Sequence, residues 1–503
     1  MNPFSGRSKC AARAAMAVVA IATLLLAAGC GFGGGGNGGG GGGGGNNGFS
    51  NASLNGQYAY TLRGFGLLPG SLTQADFFVE GGFFTADGNG HLTAGNDDLV
   101  QNSTLFSDSM TGVYGINSDG SGDIRFDFAG GSITLRITMS DASHFYIEQE
   151  DGFGTSSGSG EKQDSTMLST TPSGTFVSRS HDLGVSATIA RLASAGGSLG
   201  GSYYVLQSGG AQFTGPVVGT IAVPINGKGT INYTLNGSTT HSIFYYVVSS
   251  SKFRMLDVTP GILSVGQAEL QSAAAFSNSS LSGSYAFGSS GETAFADGIH
   301  TVGILSSNGG GNITGGNFDS VLDGVVSSNV AMPVGTYTVD ADGFGSITDT
   351  GNDKVVWMVS PSRAYFVALG AADLEDGTLD KQSGTFSNTS LKGQSAFFMD
   401  GFDASQAPAQ FKDRVGTLTP TGSGALSIGY TSSFFDPNTL LGGSQPNGFA
   451  GSYSVSSTGR ATAQLNGFTN NMVFYLVSDN TGYFLQADSN VDMAGAFTQQ
   501  TAP

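Results

Sequence analysis

Two stretches of the chain carry the Gly-x-Ser-x-Gly pattern of a nucleophilic serine, Gly154-Thr-Ser-Ser-Gly158 and Gly196-Gly-Ser-Leu-Gly200. That chemistry needs a strand–turn–helix elbow that strains the serine into position, and no helical pattern follows either match. With 82 glycines among 503 residues, the pattern also recurs by chance. The five histidines, His91, His144, His181, His241 and His300, are dispersed, with no His-x-x-x-His pair to seed a zinc site. His181 adjoins Asp182, but neighbours along a strand point to opposite faces. All five therefore read as structural or surface residues. Asp97 and Asp98, with Asp319 at the place equivalent to Asp98, are the best carboxylates for the acid–base pair a glycosidase holds across its cleft. They have no clear match elsewhere in the chain, so solvated strand ends are the expectation. Asp87-Gly-Asn-Gly90 lacks the further alternate oxygens and distal Glu of a calcium loop, so it reads as a hairpin turn. No catalytic residue, metal site or cofactor is assigned, and the ligand-binding residues stay unknown.

The elements that would position such residues come from a repeat. Phe49-Ser-Asn-Ala-Ser-Leu-Asn-Gly-Gln-Tyr-Ala-Tyr60 returns as Phe276-Ser-Asn-Ser-Ser-Leu-Ser-Gly-Ser-Tyr-Ala-Phe287 and as Phe386-Ser-Asn-Thr-Ser-Leu-Lys-Gly-Gln-Ser-Ala-Phe397. A degenerate copy, Ser173-Gly-Thr-Phe-Val-Ser178, fills the double gap between the first two. Four modules of roughly 110 residues follow, a size at which a core can stand without cross-links. Their expected bounds are 49–168, 169–273 (degenerate), 274–383 and 384–503.

Each module repeats one order of landmarks. An opening Gly precedes an aromatic strand, and a Gly-rich turn such as Phe84-Thr-Ala-Asp-Gly-Asn-Gly90 comes next. A Gly-x-Tyr strand at Tyr114, Tyr337 and Tyr453 leads to a second turn, Asp119-Gly-Ser-Gly122, Asn226-Gly-Lys-Gly229, Asp342-Gly-Phe-Gly345 or Thr458-Gly459. A closing strand ends in Gln163, Gln271, Gln382 and Gln499. Asp-Gly and Asn-Gly between alternating apolar residues are hairpin signals. Ile124-Arg-Phe-Asp-Phe128 alternates strictly, which leaves one face wet. Val355-Val-Trp-Met-Val359 and Val473-Phe-Tyr-Leu-Val477 do not, as if covered on both faces where modules touch. The fold class is all-β: four tandem modules of about eight antiparallel strands, small meander barrels, with β-sandwiches as the alternative.

Composition narrows the partners. A net charge of −18 leaves no basic surface for nucleic acid. Charged residues make up only 11% and hydrophobic ones 39%, which is not the profile of a disordered chain. Both cysteines, Cys10 and Cys30, precede the modules, so no disulfide supports them.

Arg7, Lys9 and Arg13 precede an apolar run from Ala14 to Ala28, too short to span a bilayer comfortably. Leu26-Ala-Ala-Gly-Cys30 resembles the lipobox of bacterial lipoprotein signal peptides. The resemblance implies cleavage of residues 1–29 and lipid attachment (palmitate among the acyl chains) at Cys30. Gly31 in place of Asp implies the outer membrane. Residues 30–48, nearly all Gly and Asn, form a flexible tether reaching roughly 20–25 Å. Together with the repeated openings and turns, these features resemble repeat-bearing, uncharacterised bacterial lipoproteins, a likeness that implies location and architecture without an activity. The expected protein is a lipid-anchored cell-envelope protein. It is read as non-catalytic, serving surface interaction, adhesion or structural spacing, with an envelope or extracellular glycan or protein as partner. A lipocalin-like carrier of a small apolar ligand is the alternative, and a polysaccharide or ester hydrolase comes third.

Overall fold

A computed structural model describes residues 48–235, 239–272, 275–293, 297–322, 324–349, 353–370, 374–403, 410–467, 471–489 and 491–503. The expected signal peptide, Cys30 and nearly all of the expected tether lie outside the described residues.

The described residues form four closed antiparallel barrels, I (55–162), II (174–270), III (282–381) and IV (395–499). In barrels I, II and IV each strand pairs with the next and the last closes on the first, while in barrel III Val325–Ala331 and Gly335–Val339 both pair with Asn312–Leu322. The meander barrel is therefore the observed form, and no sheet edge is left for a sandwich. Barrel III departs at its fourth position, where one strand is split into Val325–Ala331 and Gly335–Val339. The break falls around Pro333, whose ring offers no N–H to a ladder.

Alternation fills the interiors. In barrel I, Tyr58, Tyr60, Phe84, Phe126 and Phe145 point inward and pack on Ile124, Leu135 and Ile137. The other three barrels hold equivalent clusters. The repeated opening motif is a plug for one barrel end. Its residues Asn51–Ser53, Asn278–Ser280 and Asn388–Ser390 form 3₁₀ turns. The Asn51, Asn278 and Asn388 amide oxygens each accept from a strand N–H (Ile116, Val339 and Val455) at 2.8 Å. The Gly-x-Tyr tyrosines complete the plug: Tyr114, Tyr337 and Tyr453 donate to the Leu54, Leu281 and Leu391 carbonyls at 2.7–2.8 Å.

The recurring glutamine links barrel to barrel. Gln163 of barrel I donates to the Gly227 and Val247 carbonyls of barrel II. Gln271 donates likewise to Asp342 and Met358 of barrel III, and Gln382 to Thr458 and Leu476 of barrel IV. The fourth member is Gln500 rather than Gln499. It donates to Asp119 and Met139 of barrel I, at 2.8 and 2.6 Å. The reason is register: the Gln500 N–H bonds the Gln394 carbonyl as the Gln163 N–H bonds that of Gln57, one residue beyond the closing strand. Barrel IV thus returns to barrel I, and the four barrels close into a ring.

Apolar seams seal the ring. Val79 and Val100 meet Tyr246 and Leu256 between I and II. Ile189 and Tyr204 meet Trp357 and Tyr365 between II and III. Ile304 and Val321 meet Val473 and Tyr475 between III and IV. Phe65 stacks on Phe411 at 4.4 Å, and Tyr146 packs against Phe398, between IV and I. The two continuously apolar stretches are covered on both faces. Val356 and Met358 enter the core of barrel III while Val355, Trp357 and Val359 enter a seam.

Candidate functional site

The first and last strands of every barrel face the centre of the ring. Between them lies a cavity of about 290 Å³ lined by residues of all four barrels. Register puts one position of the repeat there four times. The pairs Tyr58–Lys162, Phe176–Leu270, Tyr285–Lys381 and Ser395–Gln499 are equivalent. Five residues further along each first strand stand Arg63, His181, Ser290 and Asp400, all on the cavity wall. One repeat position has thus become a cation, an imidazole, a hydroxyl and an anion.

These side chains bridge barrels. Arg63 donates through Nε to Asp400 Oδ2 at 3.0 Å, through Nη2 to the same oxygen, and to Ser290 Oγ at 3.3 Å. Burial alone would raise the Asp400 carboxyl, but Arg63 and then His300 hold it below the usual range. His181 Nδ1 lies 2.7 Å from Asp376 Oδ1, and Arg179 Nε lies 3.3 Å from Asp376 Oδ2. Burial opposes ionisation of Asp376 as well, and Arg179 with His181 reverses it. Arg254 donates to Thr61 Oγ1 at 2.9 Å, Ser159 Oγ at 3.0 Å and Glu161 Oε2 at 2.8 Å. Its Nε is buried without an acceptor among the described residues.

A smaller cavity of about 50 Å³ adjoins, with Arg63 and Asp400 shared and His300 and Asp413 in its wall. Burial lowers His300 to about 4, keeping it neutral. Burial also lifts Asp413 to about 7, although Thr155 Oγ1 donates to it at 2.6 Å.

The candidates read from the sequence fall elsewhere. Ser156 and Ser198 lie in strands Gly154–Lys162 and Ser198–Gln207; only a single 3₁₀ turn, Ser165–Met167, follows the first and another strand follows the second, so neither has the α-helix of an elbow. Asp87 accepts from the Asn89 and His91 N–H groups, as a hairpin turn does. Asp97, Asp98 and Asp319 are not solvated strand ends; they are at most 1% exposed. Asp97 accepts from Tyr60 inside barrel I. Asp98 takes Lys228 and Tyr246 of barrel II, and Asp319 takes Arg460 and Tyr475 of barrel IV. Asp98 and Asp319 are seam ion pairs because a neighbouring barrel packs against those strands. Of the histidines, His91 is exposed, His144 pairs with Asp141 and Glu161, and His241 pairs with Asp257. Only His181 reaches the large cavity. Arg63, Arg179, Arg254, Asp376 and Asp400 escaped the sequence reading. The signal was present: counted from the repeat openings, Arg63, Ser290 and Asp400 share one place.

Among the described residues no group of three His, Cys, Asp or Glu gathers as metal ligands. No described helix is long and apolar enough to cross a membrane. No protein-family model and no curated protein matches the sequence. A solved structure titled "Crystal structure of CghA" is similar at 9% identity over 88% of each chain, with a TM-score of 0.15.

Proposed function

We propose that the chain is a lipid-anchored protein of the bacterial cell envelope, held through Cys30 at the outer membrane, whose ring of barrels serves surface interaction, adhesion or spacing without catalysis. The observation that carries this reading is the closure of four filled barrels into one block. A block sealed by apolar seams and buried ion pairs keeps its shape at the end of a flexible tether. A carrier of apolar ligands inside the barrels fits less well, because aromatic side chains occupy the interiors. The void at one end of barrel I is about 80 Å³, against roughly 300–1,000 Å³ for a ligand site. The hydrolase reading has one observation behind it, the His181–Asp376 pair on the cavity wall. Turnover of an ester or glycoside that vanishes in His181→Ala would establish it.

The anchor is tested by metabolic labelling with a clickable palmitate analogue. The wild-type chain is expected to take up label and fractionate with membranes. Cys30→Ser should take up none and keep the mass of the uncleaved precursor. Equal labelling of both would refute the anchor.

A further inference from the structure

We propose that the cavity at the ring centre binds a small hydroxylated carboxylate of the sugar-acid class. The inference concerns what the block holds and does not depend on how it is anchored.

Spare donors point to an anion. The lining contributes Arg63, Arg179 and Arg254, whose ion-pair partners are Asp400, Asp376 and Glu161 in turn. Two of the three guanidiniums retain donors. Arg254 is 4% exposed, and its Nε has no acceptor among the described residues. A buried donor left unmade is costly, so an acceptor belongs there. Arg179 meets Asp376 through Nε at 3.3 Å and lies over the Tyr365 ring, and its terminal nitrogens can turn to a ligand. A guanidinium fork matches a carboxylate in both geometry and charge. The side chains of Arg63 and Arg179 keep 25% and 31% of their surface uncovered.

The remaining wall points to hydroxyls. Seven lining residues are serine or threonine. Phe398 and Tyr483, both half-buried, offer ring faces for the apolar side of a sugar. A volume of about 290 Å³ suits one sugar ring and not a polymer. The divergence of one repeat position into Arg63, His181, Ser290 and Asp400 gives the site four different walls, which an asymmetric ligand can use.

The test is calorimetric titration of the full chain with D-glucuronate and D-galacturonate, with glucose and acetate as controls. A uronate is expected to bind at least about tenfold more tightly than either control, because only it uses both kinds of wall. Arg179→Gln should weaken uronate binding by about tenfold or more, and should also lower the melting temperature, because Arg179 is the main charge that holds buried Asp376 ionised. Arg179→Lys should recover part of the loss. Uronate binding no tighter than glucose, no binding of any of the four, or unchanged binding in Arg179→Gln would each overturn the proposal. The wild-type comparison decides even if the variants fold poorly.

Discussion

At the scale of single residues, the seam between barrels I and IV differs from the others in its buried acids. Asp413 of barrel IV accepts from Thr155 of barrel I, and Glu148 of barrel I is buried nearby. Burial and then the Asp413 charge push Glu148 well above the usual carboxylate range. Asp413 titrates at about 7 in the folded ring against an ordinary value of 3.8. The native state therefore holds a proton that the unfolded chain has released, and this stabilisation is lost as pH rises through 7. Raising the pH from 5.5 to 8 should cost about 2 kcal/mol through this group. Asp413→Asn cannot ionise, so its melting temperature should gain on the wild type at pH 8 and not at pH 5.5. Parallel wild-type and variant curves across that range would contradict the assignment. Such residues were not legible as seam groups in the sequence. An aspartate in an alternating strand reads as solvent-facing, and only the packing of a neighbouring barrel covers it. Asp98 and Asp319 were misread for the same reason.

At the scale of elements, the second turn of each barrel shows why one local signal serves two purposes. Gly120, Gly227, Gly343 and Gly459 all have positive φ, between 78° and 90°. At each, an added Cβ would stand within 2.4–3.0 Å of a clasp glutamine's Nε2. The turn chemistry was legible from Asn226-Gly227 and its counterparts; the arriving amide was not, because it comes from the preceding barrel. Gly227→Ala should therefore cost more than Gly196→Ala, which has φ +57° but nothing within 4 Å of the new Cβ. Left-handed strain of about 1–2 kcal/mol is common to both. The surplus, on the order of 1–3 kcal/mol from the displaced hydrogen bonds, is read by denaturant titration. Equal losses in the two variants would mean that the clasp contributes nothing. The plug motif shows the same split. Phe-Ser-Asn-x-Ser-Leu was recognisable as a repeat, while the tyrosine that locks it lies some sixty residues later.

At the scale of the whole molecule, four modules were legible because copies of one sequence share their turn spacing. Their arrangement was not, because any single barrel looks complete without neighbours. The hints were the doubly covered strands and the glutamines at each module end. Since every barrel is bonded to at least two others, unfolding is expected to be cooperative across the ring. Differential scanning calorimetry of the wild type should give one endotherm. Gln500→Ala, which weakens the last link, should lower that transition or divide it. Four separate transitions in the wild type would describe independent barrels instead.

The link from Gln500 back to Asp119 and Met139 also imposes an order of events. Synthesis runs from the N-terminus, so barrel I emerges while its partner strand Gln410–Pro420 is still unmade. Until that strand arrives, Phe65 and Phe77 have no Phe411 to cover them. The nascent chain thus carries an uncovered aromatic flank through most of its production, and during that interval its protection has to come from a chaperone or from haste.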